Sequence, residues 1–257
     1  MTAKIITLGH EKGGTGKSTL AINLAAGFLQ EGKKVAVLDL DGRQQTISHF
    51  FKKRKETKDE RYPSLPMPFL AVFSAEAPHG ELAMFDAEMQ RLKKEMDVIV
   101  IDTPGSHAPL AVRALEITDV LLSPVNTSFF DLDVMAEASA AGKFGKFGVY
   151  AETLWAVRKA RAALGRPPLK WLLTFNRSSH IFSRHKGKVE ELAQEMSKML
   201  GFTITSPVRE RTIYQELFLE GLSICDLNTK GIPFKLNFSH LSARQEIRNI
   251  ANLISFA

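Results

Sequence analysis

The chain has 257 residues, 44% of them hydrophobic and 24% charged, which is enough for one globular α/β domain with a sizeable core. Its 34 lysines and arginines oppose 28 aspartates and glutamates, and the formal charge of +6 permits contact with nucleic acid or an anionic surface without requiring it. The single cysteine, Cys225, excludes an internal disulfide and a thiolate cluster; no apolar run approaches the ~18 residues of a membrane span, and polar loop residues begin by His10, where a signal peptide would still be apolar.

In chain order, KIITLG (4–9) is a β-branched apolar run ending at glycine, as a buried parallel strand requires. Leu20, Leu24, Phe28 and Leu29 then recur at helical spacing over 17–31, and Gly32 ends the pattern. KVAVLDLD (34–41) predicts a second strand with two aspartates at its carboxyl end, and DVIVIDTPG (97–105) a third of the same design. DVLLSPVN (119–126) and LKWLLTFN (169–176) predict two more, and FTITSPV (202–208) a short sixth. Helical patterns lie near 46–60, 81–96, 107–117, 131–143, 184–200 and 241–254. The segment 62–78, with prolines at 63, 66, 68 and 78, is expected to wrap the surface, and the basic residues of 46–61, Arg54 among them, to form a solvated face. Cys225, in the apolar run LSIC, is expected to be buried and inert.

Strands alternating with helices predict an α/β fold: one domain over 1–257 built on a doubly wound, mainly parallel sheet flanked by helices. Such sheets bind ligands outside the carboxyl ends of their strands. Gly13, Asp39, Asp41, Asp102 and Asn176 all fall at those ends, which points to one site.

The segment GHEKGGTGKST (9–19) carries the chemistry. A phosphate cradle needs consecutive backbone N–H groups, glycines for close approach and a helix N-terminus behind them. Gly13, Gly14 and Gly16 shape the turn around Thr15. Lys17 is placed to bridge the β- and γ-phosphates of a nucleotide, Ser18 to ligate Mg²⁺ and Thr19 to reach the α-phosphate. Glu11 stands where the usual pattern has its first glycine, a position that needs backbone geometry more than a missing side chain. Mg²⁺ takes oxygen ligands and keeps several waters, so acids at strand ends suit it. Asp102 is the leading candidate, with Asp39 beside Ser18 in the expected set, and TPG (103–105) follows as a γ-phosphate-sensing loop. Asp41, farther out, is the candidate for orienting the attacking water, since phosphoryl transfer asks mainly for positioning and charge stabilisation.

Lys12 is a second lysine that an ordinary loop of this kind does not need. With HEKGGTGKST, the segments VLDLDGRQQTISHFF, IDTPG, SPVNTSFFDLD, LTFNR and VRERTIYQELFLEGLSICDL run in order through nearly the whole chain. Together they resemble the ParA/MinD superfamily of deviant Walker ATPases and, within it, the MipZ family. DLDGRQ and RERTIYQELF are the more specific segments; an ordinary ParA carries Pro-Gln where Gly42 and Arg43 stand here.

The resemblance implies a P-loop ATPase using ATP, ADP and Mg²⁺. It also implies a monomer that forms an ATP-sandwich homodimer, binds DNA without sequence preference, works with the partition protein ParB and inhibits assembly of FtsZ. Matched residue by residue, Lys12 becomes the signature lysine that reaches the partner's phosphates, Lys17 and Ser18 the phosphate and Mg²⁺ residues, and Asp41 the hydrolysis residue. Asn176 and the segment from Pro207 to Arg209 fall where the superfamily holds adenine. Arg177, Arg184, Lys186 and Lys188 form the candidate DNA-binding cluster, although Glu190, Glu191 and Glu195 make the 184–200 helix less basic than that role suggests. The expected location is cytoplasmic and nucleoid-associated. Membrane insertion is not expected, because the apolar residues of the closing IRNIANLISFA look fitted to the core. A ParA-type ATPase that partitions a chromosome, plasmid or cytoplasmic cargo is the alternative, and a P-loop metabolic ligase is the alternative of another class.

Overall fold

A computed structural model describes residues 2–254 apart from 43, 78–79, 107, 134, 139–143, 179–183, 228–231 and 233. Its elements in order are β1 (Lys4–Leu8), α1 (Lys17–Gln30), β2 (Val35–Asp39), α2 (Thr46–Glu60), β3 (Phe69–Val72), α3 (Glu81–Glu95), β4 (Val98–Asp102), α4 (Pro109–Ile117) and β5 (Val120–Val125). They continue with α5 (Phe129–Asp133), β6 (Ala136–Ala138), β7 (Phe144–Phe147), α6 (Val149–Ala163), β8 (Lys170–Phe175), α7 (Arg184–Leu200), β9 (Thr203–Ile204), α8 (Ile213–Leu219) and α9 (Phe238–Ile254).

Seven strands form one sheet in the order β3-β2-β4-β1-β5-β8-β9, and every pairing in it is parallel. The central strands read as unbroken apolar runs because both faces are covered. Ile6, Val37 and Val100 face α1 and α9 on one side, while Ile5, Leu38, Ile99 and Ile101 face α3 and α4 on the other. Beyond β1, Trp171 and Leu173 of β8 pack with Leu154 of α6 and Met196 of α7. The C-terminal helix does complete the core through Ala243, Ile247, Ile250 and Ile254, and Cys225 is buried as expected.

Four expectations need correction. The proline-rich segment contains a strand: Phe69–Val72 pairs along β2, and Phe69 and Val72 stay exposed because β3 is an edge strand. Pro66 and Pro68 precede it, where no ladder N–H is required. The helix expected over 131–143 is cut short, since α5 stops at Asp133 and β6 pairs antiparallel with β7. Alanine-rich propensity yields there to cross-strand pairing. Helices α6 and α8 were not anticipated, although Tyr150, Leu154 and Val157 do keep helical spacing on the buried face of α6.

Arg54 is the fourth. It belongs to no solvated face but is fully buried, with its Nη1 2.6 Å and its Nη2 2.9 Å from the Asp226 carboxylate. Its remaining donors reach the carbonyls of Gly221 and Pro66. A side chain at Gly221, where φ is +62°, would run into the Arg54 backbone, with a Cβ only 2.4 Å from its nitrogen. The charge is therefore matched and hydrogen-bonded, the condition under which an arginine can be buried.

Candidate functional site

The loop from Gly9 to Gly16 leaves the carboxyl end of β1 and enters α1. Gly14 and Gly16 have φ of +76° and +91°, a left-handed backbone that favours glycine. Gly16 is constrained twice, because a Cβ there would lie 2.0 Å from Asn176 Nδ2. Asn176, at the end of β8, donates that same nitrogen to the Thr15 carbonyl at 2.7 Å. On the other flank Gly105 presses against the loop, where a Cβ would meet the Gly13 nitrogen at 2.7 Å and the Glu11 carbonyl oxygen at 2.9 Å. The loop is thus clamped between the ends of β4 and β8, and α1 points its N-terminus into it.

Sheet register assembles the acids. Asp39 and Asp102 are direct neighbours across β2 and β4, and Leu8 at the end of β1 sits beside Asp102. Ser18 donates its hydroxyl to Asp102 Oδ2 at 2.6 Å, while Asp102 Oδ1 is buried with no partner among the described residues. Burial pushes the Asp102 carboxyl up to about 7, with the negative Asp39 adding to the effect and the Ser18 hydrogen bond opposing it. Lys17 is buried too; its Nζ donates to the Lys12 carbonyl at 2.8 Å. Desolvation lowers its pKa, against the pull of Asp102 and Asp41.

Asp39 is engaged by hydrogen bonds on both carboxylate oxygens. One carboxylate oxygen accepts the Asp41 N–H at 3.0 Å, and the other accepts the Ser48 N–H and hydroxyl at 3.2 and 2.9 Å. Those bonds make it a brace for the Asp41 turn and the start of α2. Asp41 itself is half-buried and accepts the Gln44 N–H at 3.2 Å. Ser18 and Asp102 fit Mg²⁺ better: a hydroxyl and a carboxylate lie together, the carboxylate keeps an unpartnered oxygen, and its desolvated charge calls for a cation.

Lys12 leans on its own chain. Its Nζ lies 3.1 Å from Asp131 Oδ1, and its N–H donates to His10 Nδ1 at 3.1 Å. That bond leaves the proton on His10 Nε2, which lies 3.2 Å from the Asp131 carbonyl oxygen. His10 and Asp131 were not singled out from the sequence, because a pairing across 121 residues leaves no local signal.

Of the remaining candidates, Thr15 is buried with its hydroxyl unpartnered among the described residues. Thr19 is half-buried in the first turn of α1. Pro207 and Arg209 are exposed, and their segment runs alongside the end of β8 through a bridge between Ser178 and Arg209. Asn176 and 207–209 are thus neighbours, although Asn176 spends its amide on the loop. Arg177 is exposed at φ +49°, and Lys188 is exposed on α7. Arg184 and Lys186 lie in the first turn of α7 with side chains outside the described residues, as is the whole of Arg43, so the expected basic cluster is described only in part.

A family model described as ATPase MipZ matches residues 4–256. The maintenance of carboxysome distribution protein A of Halothiobacillus neapolitanus is 24% identical over 249 residues, covering 96% of this chain and 94% of that protein. The chromosome-partitioning ATPase Soj of Thermus thermophilus is 28% identical over 148 residues, which are 51% of this chain and only 58% of Soj. Among solved structures, apo McdA of Cyanothece superposes with a TM-score of 0.67 at 17% identity, covering 98% of this chain and 100% of that one. A plasmid partition protein of Borrelia burgdorferi bound to AMPPNP gives 0.60 at 20%, covering 98% and 99%. At these identities the structural likeness carries the fold.

Proposed function

Because the chain belongs to the MipZ family of ATPases, we propose that it is an ATP-driven dimerisation switch that binds DNA without sequence preference when paired. In this reading it engages a ParB-like partition protein as well, and it restrains FtsZ assembly to place the division site. The observation that carries the switch is the convergence of Lys17, Ser18, Asp102 and Asp41 on a glycine loop at the carboxyl edge of the sheet.

Each residue then has a task. Loop N–H groups and the α1 N-terminus receive the phosphates, and Lys17 neutralises the β- and γ-phosphate charge. Ser18 and Asp102 hold Mg²⁺, which, when bound, offsets the charge building up on the phosphate oxygens. Asp41 accepts a hydrogen bond from water and aims it at the γ-phosphorus; the bond to the bridging oxygen breaks and that oxygen stays on ADP. Lys12 leaves Asp131 and reaches the nucleotide of a second copy, so that two copies enclose two nucleotides. Asn176 and the segment from Pro207 to Arg209 border the base.

DNA contact by Arg177, Arg184, Lys186 and Lys188 gives one copy about four phosphate contacts, too few for firm binding at physiological salt. Pairing doubles the number, which ties DNA binding to ATP. The near full-length likeness to a carboxysome-distribution protein favours a second reading, a ParA-type ATPase that positions another cargo. Size-exclusion chromatography with no nucleotide, ADP and ATP, repeated with duplex DNA over a salt series, tests the switch. The expected result is a dimer with ATP alone, and DNA binding by that dimer with a log–log salt slope of roughly −3 to −7. A monomer under every nucleotide would overturn the reading. Sedimentation of FtsZ polymers with the ATP form separates the two outputs, since a cargo ATPase leaves them unchanged.

A further inference from the structure

At the opposite end of the sheet from the phosphate loop, the amino-terminal ends of β1, β5 and β8 border a cavity of about 460 Å³. Ala3, Ile5, Met89, Ile117 and Pro167 give it apolar walls. Four cationic side chains converge on it from separate segments: Lys93 near the end of α3, Arg113 on α4, Arg161 on α6 and Arg166 in the turn beyond α6.

The charges do not cancel. Arg113 is matched, with Asp86 at 2.8 Å and Glu116 at 2.7 Å. Arg161 spends its donors on neutral carbonyls, those of Pro167 and Glu116. The side chains of Lys93 and Arg166 make no hydrogen bond or ion pair among the described residues. Against these three cations the cavity offers one further carboxylate, Asp119, which already accepts the Ile5 N–H at 2.8 Å. The carbonyl end of α4 takes up part of the Arg161 charge. One to two positive charges therefore stand in excess around a space of mononucleotide size. Burial lowers the Lys93 pKa, and among the neighbouring charges Asp119 and Asp86 raise it while Arg166 and Arg113 lower it. The lining mixes apolar and polar residues in similar measure, which suits a ligand with both an apolar body and a charged end, and like charges held together there are relieved by an anion.

We propose that this cavity is a second ligand site, separate from the phosphate loop, which takes a small phosphate monoester with an apolar body. The phosphate lies between Lys93 and Arg166, and the body against Met89, Ile117 and Pro167. Neither cationic group is needed to hold the fold, since the half-buried Lys93 side chain has no bonding partner among the described residues and Arg166 is exposed.

The test uses the full chain with its phosphate loop filled by ADP and Mg²⁺. Phenyl phosphate, inorganic phosphate and succinate are titrated by calorimetry at fixed ionic strength. The expected result is one saturable phenyl phosphate site per chain, with inorganic phosphate competing more weakly. Lys93→Ala combined with Arg166→Ala should weaken that binding at least tenfold and leave ADP affinity unchanged. Lys93→Gln alone, with a thermal melt beside it, gives a milder variant should the pair disturb folding. Absence of saturable binding, or binding that the variants leave intact, overturns the site. Tighter binding of succinate than of phenyl phosphate overturns the phosphate assignment.

Discussion

Lys12 Nζ lies 3.1 Å from Asp131 Oδ1, so the lysine expected to serve a second copy is held by a carboxylate of its own chain. Asp131 Oδ2 meanwhile accepts the Asn126 N–H at 2.9 Å, which fixes the carboxylate in place. The lysine is about one-third exposed, and a pair of that kind contributes on the order of 0.5–1 kcal/mol.

On the role proposed for Lys12, that contact opposes pairing by a measurable amount. Asp131→Asn should raise the ATP-dependent dimerisation constant about five- to thirtyfold, since a dimer gives up two such contacts, about 1–2 kcal/mol together. Analytical ultracentrifugation at several protein concentrations measures it. Lys12→Ala should bind ATP and remain a monomer, whereas Lys17→Ala should lose nucleotide affinity itself. Equal loss of affinity in the two lysine variants would mean that Lys12 has no role across the interface.

Asp41 is placed beside the Lys17 and Asp102 charges, and its turn is braced by Asp39 and Ser48. Asp41→Ala should slow ATP turnover by 10²-fold or more, about 3 kcal/mol in the barrier, and leave ATP-bound dimers in place. Ser48→Ala should reproduce a milder version, lowering kcat with little change in nucleotide affinity, because it loosens the brace and touches no phosphate. Phosphate release under saturating ATP distinguishes these outcomes.

His10 makes stability depend on pH. Burial first, and the Lys17 charge second, lower its pKa from 6.5 to about 4. The unfolded chain takes up the proton as pH falls past about 6.5, whereas the folded chain resists until about 4. The contribution of His10 is therefore fully present above 6.5 and is lost as pH falls to 4. The difference is worth about 3 kcal/mol. His10→Asn should lose about that much less unfolding free energy than the parent between pH 7 and pH 4. Parallel pH curves from urea unfolding would refute the assignment.

The Arg54–Asp226 pair ties the helix that follows the Asp41 turn to the segment just beyond α8. Asp226 also accepts the Ser223 N–H at 2.7 Å and a Gln30 donor at 2.8 Å, so its charge is satisfied from three sides. Arg54→Leu removes the cation and leaves a buried carboxylate, which should cost about 3–5 kcal/mol in urea unfolding. Adding Asp226→Leu should recover part of that loss, since the unpaired charge then goes as well.

The reach of the sequence can be judged residue by residue. By itself it determined the parallel sheet, because strands covered on both faces must read as apolar runs and the helices between them must repeat at 3.6 residues. It determined the phosphate loop as well, since closely spaced glycines and a lysine at a strand-to-helix turn form a local pattern set by backbone geometry. Tertiary structure alone decided what lies far apart along the chain. Register placed Asp39 beside Asp102, and hydrogen bonds from Ser48 and Asp41 made Asp39 a brace for the turn. Folding brought Asp131 to Lys12 and Asp226 to Arg54, so a basic residue that reads as solvated is in fact the most deeply buried cation among the described residues. The short strand β3 and the β6–β7 pair also depend on a partner strand, which supplies the ladder that their own residues do not announce. Local geometry is written in neighbouring residues, whereas burial and charge pairing depend on what the rest of the chain brings into contact.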